Sequence, residues 1–291
     1  MPGALQAFFL PGSGPAGGQR MAVLRLPQGP ARGAVLHVPA FAEELNKSRR
    51  MVALTSRALS DAGYAVLQAD LHGCGDSSGE FADTSWEQWL ADVTAAAQWL
   101  RARHGGEFWL WGLRAGCLLA AEAARSLPGP QRLLLWQPQT SGRQVLQQFM
   151  RLKMASQMQQ GASKGVTEAL RRGLDAGQVM DIAGYQLGPV LARGLEAATL
   201  QPPPAGSSGA DNRLVWLEVT SREPLALLPA AAATLAQWRD AGHAVQAQAV
   251  AGPPFWQTLG IEEAPALVDA SVAALLAPIP ETATASAPAT A

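Results

Sequence analysis

Gly112-Leu113-Arg114-Ala115-Gly116 is the stretch that most narrows what this chain can fold into. It lies between the apolar run Phe108-Trp109-Leu110-Trp111 and the Ala/Leu-rich run from Cys117 to Arg125. Together they read as a short strand, a sharp turn and a helix. So tight a turn needs glycine on both sides, where a Cβ would block the backbone or the packing of helix on strand. This strand–turn–helix frame is the setting of the nucleophile elbow, Gly-x-Ser-x-Gly. Both glycines are present here, and Arg114 stands where the serine would be.

Strands and helices alternate around the frame. Leu5–Leu10 and Met21–Leu26 flank a Gly/Pro/Ser-rich turn and predict an opening β-hairpin. Ala34–Pro39 predicts a buried strand, Asn46–Ala62 a helix stopped by Gly63, and Tyr64–Asp70 the next strand. Trp86–Arg103 places Trp86, Trp89, Leu90, Val93, Ala97 and Leu100 on one side, a helical period. The elbow strand and its helix follow, then a strand at Arg132–Trp136. Further on come Leu214–Val219, Ala231–Asp240, Ala244–Val250 and Ala264–Leu276, again alternating. Such alternation predicts βαβ units and a mostly parallel sheet, with right-handed crossovers that cover both faces with helices. From Ser141 to Leu200 the strand signals vanish, and Val145, Phe149, Leu152 and Met158 alternate with Gln and Arg. A helical insertion is expected there, with Gln201–Gly209 as its exit linker. The predicted organisation is a core over 1–140, a helical lid over 141–204, the rest of the core over 205–278 and a disordered tail over 279–291.

Nearly half of the 291 residues are apolar, which suffices for a large core. The formal net charge is −1, with 15% charged residues. That balance argues against nucleic acid, which needs a concentrated basic face. Two cysteines, Cys74 and Cys117, make no disulfide framework and suit a reducing compartment. No apolar run reaches the roughly 18 residues of a transmembrane segment, and Met1–Pro11 lacks the basic start and apolar core of a signal peptide. A soluble cytoplasmic protein is expected, with no cofactor and no metal.

Ligands of an open parallel sheet bind beyond the carboxyl ends of its strands. After the third predicted strand comes His37, then Glu43, Glu44, Asn46, Lys47, Ser48, Arg49 and Arg50, a density of polar groups unusual in so apolar a chain. The loop stands where an elbow enzyme places an oxyanion-hole amide. It also reads as a plain helix start, with Asn46 as N-cap and Arg49 and Arg50 solvated. After the fourth strand, Asp70–Gly79 makes a tight hydrogen-bonded loop. Within it Cys74 and His72 are candidates for a thiolate–imidazole pair, set against a purely structural loop. Arg114 cannot be a nucleophile and stays charged. Flanked by Leu113 and Ala115 at a helix N-terminus, it either holds a carboxylate or phosphate or pairs with Glu43 or Glu44; the residues leave both open. Cys117 reads as a buried small hydrophobe. Glu218 and Glu223 follow the seventh strand, where a triad acid often sits. The stretch after the eighth strand, Ala251–Thr258, contains no histidine. A Ser–His–acid mechanism thus lacks both its attacking group and its proton carrier.

The elbow frame, the loop Asp70-x-x-Gly73-x-Gly75-x-Ser77-x-Gly79 and the strand order resemble the α/β-hydrolase superfamily, in its lid-bearing serine aminopeptidase-like branch. More narrowly, Phe41-Ala-Glu-Glu-Leu-Asn-Lys-Ser-Arg-Arg-Met51, with Asp70–Ser77 and Leu110–Arg114, resembles the exosortase-A-system-associated hydrolases of the second type. The resemblance covers about residues 20 to 275. It implies an α/β-hydrolase fold and a bacterial cytoplasmic protein associated with exopolysaccharide production and exosortase-dependent sorting. It supplies no substrate.

The leading expectation is a hydrolase-family protein acting on, or holding, an acyl or saccharide-linked anionic small molecule. Arg114 would anchor the anion, Asn46, Lys47 and Ser48 would add donors, and Glu43 or Glu44 would orient the cations. A rival is a non-catalytic scaffold or regulatory subunit for a protein partner of the same system, with Trp86, Trp89 and Trp256 as ordinary core aromatics. A third reading keeps turnover through Cys74 with His72, or through His37 acting on a bound water.

Overall fold

Eight strands form one sheet, in the order β1-β2-β4-β3-β5-β6-β9-β10. The computed structural model describes residues 3–158, 165–202 and 211–278. Strands β1 (Leu5–Pro11) and β2 (Gln19–Arg25) make the expected antiparallel hairpin. Strand β2 then runs antiparallel to β4 (Tyr64–Ala69). From β4 the sheet is parallel through β3 (Gly33–Val38), β5 (Glu107–Leu113), β6 (Arg132–Trp136), β9 (Arg213–Thr220) and β10 (Ala244–Ala251). Every residue of β3 is buried, as expected of a parallel strand covered on both faces.

Helices α1 (Glu43–Asp61) and α8 (Pro265–Leu276) cover one face, over a core holding Trp109, Trp111 and Trp136. On the other face α2 (Trp86–Arg103), α3 (Gly116–Ser126) and α7 (Ala231–Asp240) pack over a core with Trp86, Trp89 and Trp238. Between β6 and β9 the described chain folds as α4 (Gly142–Met158), α5 (Val166–Asp175), a small hairpin and α6 (Pro189–Ala197). This segment packs on the second core through Phe149, Leu170, Leu187 and Leu191.

Two elements differ from the expectation. Helix α1 begins at Glu43, so Asn46 lies inside it and is not its N-cap; that place is Ala42, at φ 52 and without a side-chain cap. Glu43 and Glu44 in the first turn suit the positive end of the helix dipole instead. The second difference is the hairpin of β7 (Met180–Ile182) and β8 (Tyr185–Leu187), in a region expected to be mainly helical and without strand signals. Its loop, Ala183-Gly184, has positive φ at both residues, the backbone a two-residue hairpin turn requires. Three-residue strands are too short to show alternation, and alanine at the first turn position gives no signal. Most of the expected linker and the whole expected tail lie outside the described residues.

Candidate functional site

The elbow forms as its glycines dictate. Gly116 has no room for a side chain, because a Cβ there would overlap the carbonyl oxygens of Val38 and Pro39. At Gly112 a Cβ would sit 2.7 Å from the Cys117 Cα. Between them Arg114 is held at φ 55, a left-handed conformation costly for any residue with a Cβ. Its amide donates to the Trp136 carbonyl at 2.9 Å, and its carbonyl accepts from the Cys117 amide at 3.1 Å.

Arg114 is buried, and it lines a cavity of about 550 Å³. Nε and Nη2 donate to Glu44 Oε1 at 3.1 and 3.0 Å, and Nη2 also reaches Gln148 Oε1 at 3.4 Å. The Gln139 amide, with its oxygen turned to the guanidinium, accepts from Nη1 and Nη2. The Trp256 ring centroid is 5.3 Å from the guanidinium carbon, a cation–π distance. Of the two glutamates the sequence left open as partners, the structure selects Glu44. Glu43 and Lys47 line the same cavity, with Phe41 and Phe149 beside them.

Burial raises the carboxyl of Glu44 above its ordinary range, against the pull of Arg114 and Lys47. It also raises Glu43, whose Oε2 is buried without a partner among the described residues. The site therefore couples a costly buried carboxylate to a permanently charged guanidinium, with a second cation, Lys47, at the cavity wall.

Other candidates fall elsewhere. Ser48 turns to the opposite side of α1 and donates its hydroxyl to the Glu44 carbonyl at 2.6 Å. Asn46 is spent on the Tyr185 hydroxyl at 3.1 Å and on Arg49 at 3.2 Å. Leu113 and Ala115 flank Arg114 but line two other, smaller spaces. Glu218 accepts from Trp216 Nε1 at 2.8 Å and from the Leu228 amide at 2.6 Å, so it braces a loop. Glu223 is exposed.

The thiolate–imidazole pair does not form. No hydrogen bond joins Cys74 and His72 among the described residues, and the His72 ring packs against Gly79. Burial pushes the Cys74 thiol up to about 12, so it stays protonated and a poor nucleophile. His37 lies beneath α1, edge-on to Trp111 at 4.6 Å, away from Arg114. The cavity residues missed in the sequence include Gln139, Gln148, Phe149 and Trp256. Trp256 occupies the loop after β10, where a triad histidine was sought, and a tryptophan there read as core.

Burial, reinforced by Arg49, lowers the His37 pKa to about 3, and burial lowers His243 to about 4. Both histidines are neutral in the folded protein and bind protons more readily when unfolded. Their contribution is thus fully present above about pH 6.5 and is lost as pH falls toward the folded values. Between about pH 6 and 4 each histidine is expected to remove roughly 1.4 kcal/mol of stability per pH unit. The raised pKa values of Glu43 and Glu44 act in the opposite sense, so the His37→Phe difference isolates the histidine. Urea unfolding at several pH values should show a shallower acid loss in that variant, and an unchanged slope would contradict the assignment.

Comparisons with known proteins agree with this architecture. The serine aminopeptidase family, S33, matches residues 29–172. Among solved structures the chain is similar to Est1E of Butyrivibrio proteoclasticus with ferulic acid bound, at 16% identity and a TM-score of 0.59, covering 89% of this chain and 94% of that one. It is similar to a carboxyl esterase of the mycorrhizal fungus Tuber melanosporum, at 14% identity and a TM-score of 0.59, covering 94% and 84%. A lidless α/β serine hydrolase of Xanthomonas campestris gives 18% identity and a TM-score of 0.52, covering 94% and 93%. No curated protein matches the chain by sequence.

Proposed function

This chain has the α/β-hydrolase fold, and from that premise we propose that it is a non-nucleophilic member of the α/β-hydrolase superfamily. It holds an acyl or saccharide-linked anionic ligand in the cavity over Arg114 and forms no acyl-enzyme. The observation that carries this reading is the elbow itself. Its strained backbone and both glycines are kept, yet its apex presents a guanidinium, which has no lone pair with which to attack a carbonyl.

Glu44 acts as a place-holder. A ligand carboxylate or phosphate takes its position on Arg114, and Lys47 meets the remaining charge. Two facts favour the exchange: burial raises Glu44, so its carboxylate is costly to keep in place, and the N-terminus of α3 behind Arg114 favours an anion. The helices between β6 and β9 act as the lid, closing the cavity with Val145, Gln148 and Phe149. The likeness of Phe41–Met51 to the exosortase-A-system-associated hydrolases supports a cytoplasmic place in exopolysaccharide production.

The test is calorimetric titration with acyl phosphates, fatty acids and glycosyl phosphates, using the parent protein and Arg114→Met. At least one ligand is expected to bind the parent and to lose tenfold or more in affinity with the variant. The reading fails if every ligand that binds does so equally well without Arg114.

One observation favours a second reading, the scaffold. The guanidinium is already met by Glu44, Gln139 and Gln148, as an internal structural cation would be. On that reading a partner from the same system is retained in a pull-down and survives Arg114→Met, and the anion panel gives no binding.

A further inference from the structure

Under the first turns of α1, on the side away from Arg114, a second cavity of about 150 Å³ opens against the sheet. His37 closes it from the end of β3, Gln68 and Asp70 from the end of β4, and Ser48 and Arg49 from α1. The His37 residue is 7% exposed, and its Nε2 is buried without a hydrogen-bond partner among the described residues. Buried polar atoms are almost always paired, and a space of this size has room for the missing partner.

We infer that this cavity is a binding site for a small neutral polyhydroxylated molecule, of the size of glycerol, seated on the His37 imidazole. Size comes first: an engineered apolar cavity of about 150 Å³ accepts benzene, six heavy atoms. Charge comes second. Among the described residues Arg49 is the one cation on the wall, and it is already placed 3.5 Å from Asp70. Asp76 adds a second carboxylate to the wall, so a free anion meets net negative charge. A cation is opposed by Arg49, and Asp70 is already taken by that guanidinium and by the Asp76 amide, which donates to its Oδ2 at 3.3 Å. A neutral imidazole offers one donor and one acceptor, and a hydroxyl can answer either. The third consideration is the apolar half of the wall, where Met21, Val23, Leu45, Val52 and Leu113 suit the C–H faces of a polyol. The Arg49 side chain, 52% exposed, stands at the rim and provides the way in.

The experiment is an NMR titration of the histidine ring signals in the full-length protein with glycerol, and separately with acetate and with methylammonium. Glycerol is expected to shift the His37 signals along a saturating curve while those of His104 and His243 stay put. Neither ion is expected to saturate. His37→Phe assigns the signals; should it fail to fold, cross-relaxation to Trp111, whose ring lies 4.6 Å away, assigns them in the parent protein. A non-saturating drift shared by all the histidines would mean that the cavity holds water only, and saturation by acetate or methylammonium would mean an ion site. Either result overturns the inference.

Discussion

Arg114→Ala is expected to lower the unfolding free energy by about 3 kcal/mol, because breaking a buried ion pair leaves its partner buried and unpaired. Arg114 and Glu44 have side-chain exposures of only 7% and 15%, so water screens neither well. The loss is held near the lower end of what such pairs show because Glu44, already raised by burial, can take up a proton. Two companion variants separate the causes. Arg114→Leu with Glu44→Leu should recover stability to within about 1 kcal/mol of the parent, since apolar packing replaces a buried pair well. Arg114→Gly should fall between the parent and Arg114→Ala, because it relieves a φ of 55 that costs a residue with a Cβ about 1 kcal/mol. If the double variant were as unstable as Arg114→Ala, the pair would not be the cause. A stable double variant that binds no ligand would show the cation retained for function at the expense of stability.

Trp136→Ala is expected to cost about 4 kcal/mol, the usual effect of emptying a fully buried tryptophan site. Trp136 has no exposed surface, meets Trp111 edge-on at 4.6 Å and Phe255 at 6.1 Å, and donates Nε1 to Ser271 Oγ at 2.8 Å. It also stands directly under the elbow, since its carbonyl accepts from the Arg114 amide. The variant should therefore weaken ligand binding at Arg114 as well as stability. Trp136→Phe keeps most of the ring contacts and should lose no more than about 2 kcal/mol. Thermal unfolding and the anion titration on the same samples check both effects.

Most of the fold was legible because the sheet and its covering helices write themselves in hydrophobic period. Trp86–Arg103, Arg132–Trp136 and Ala231–Asp240 lie where the spacing of their apolar residues places them. The start of α1 was not legible. Asn46 is the better cap by residue type, but tertiary packing holds Ala42 at positive φ and starts the helix three residues earlier. The elbow was legible in its two glycines, and the geometry follows from their lack of a Cβ. The surroundings of Arg114 were legible only in part. Glu43, Glu44 and Lys47 announced themselves as charges in an apolar chain. Gln139, Gln148 and Trp256 come from three distant segments, and only the folded chain brings them to one guanidinium. Ser48 could not be excluded by type; helical register alone turns it to the other cavity.

The most direct measurement is to incubate the purified protein with a fluorophosphonate, which phosphonylates a serine activated by a base, and to weigh the intact chain. The expected mass is that of the unmodified protein, for the parent and for Arg114→Ser alike, because restoring a hydroxyl at the apex does not restore a histidine in the loop after β10. A stoichiometric adduct on the parent protein would contradict the central claim, because some serine would then be serving as the nucleophile.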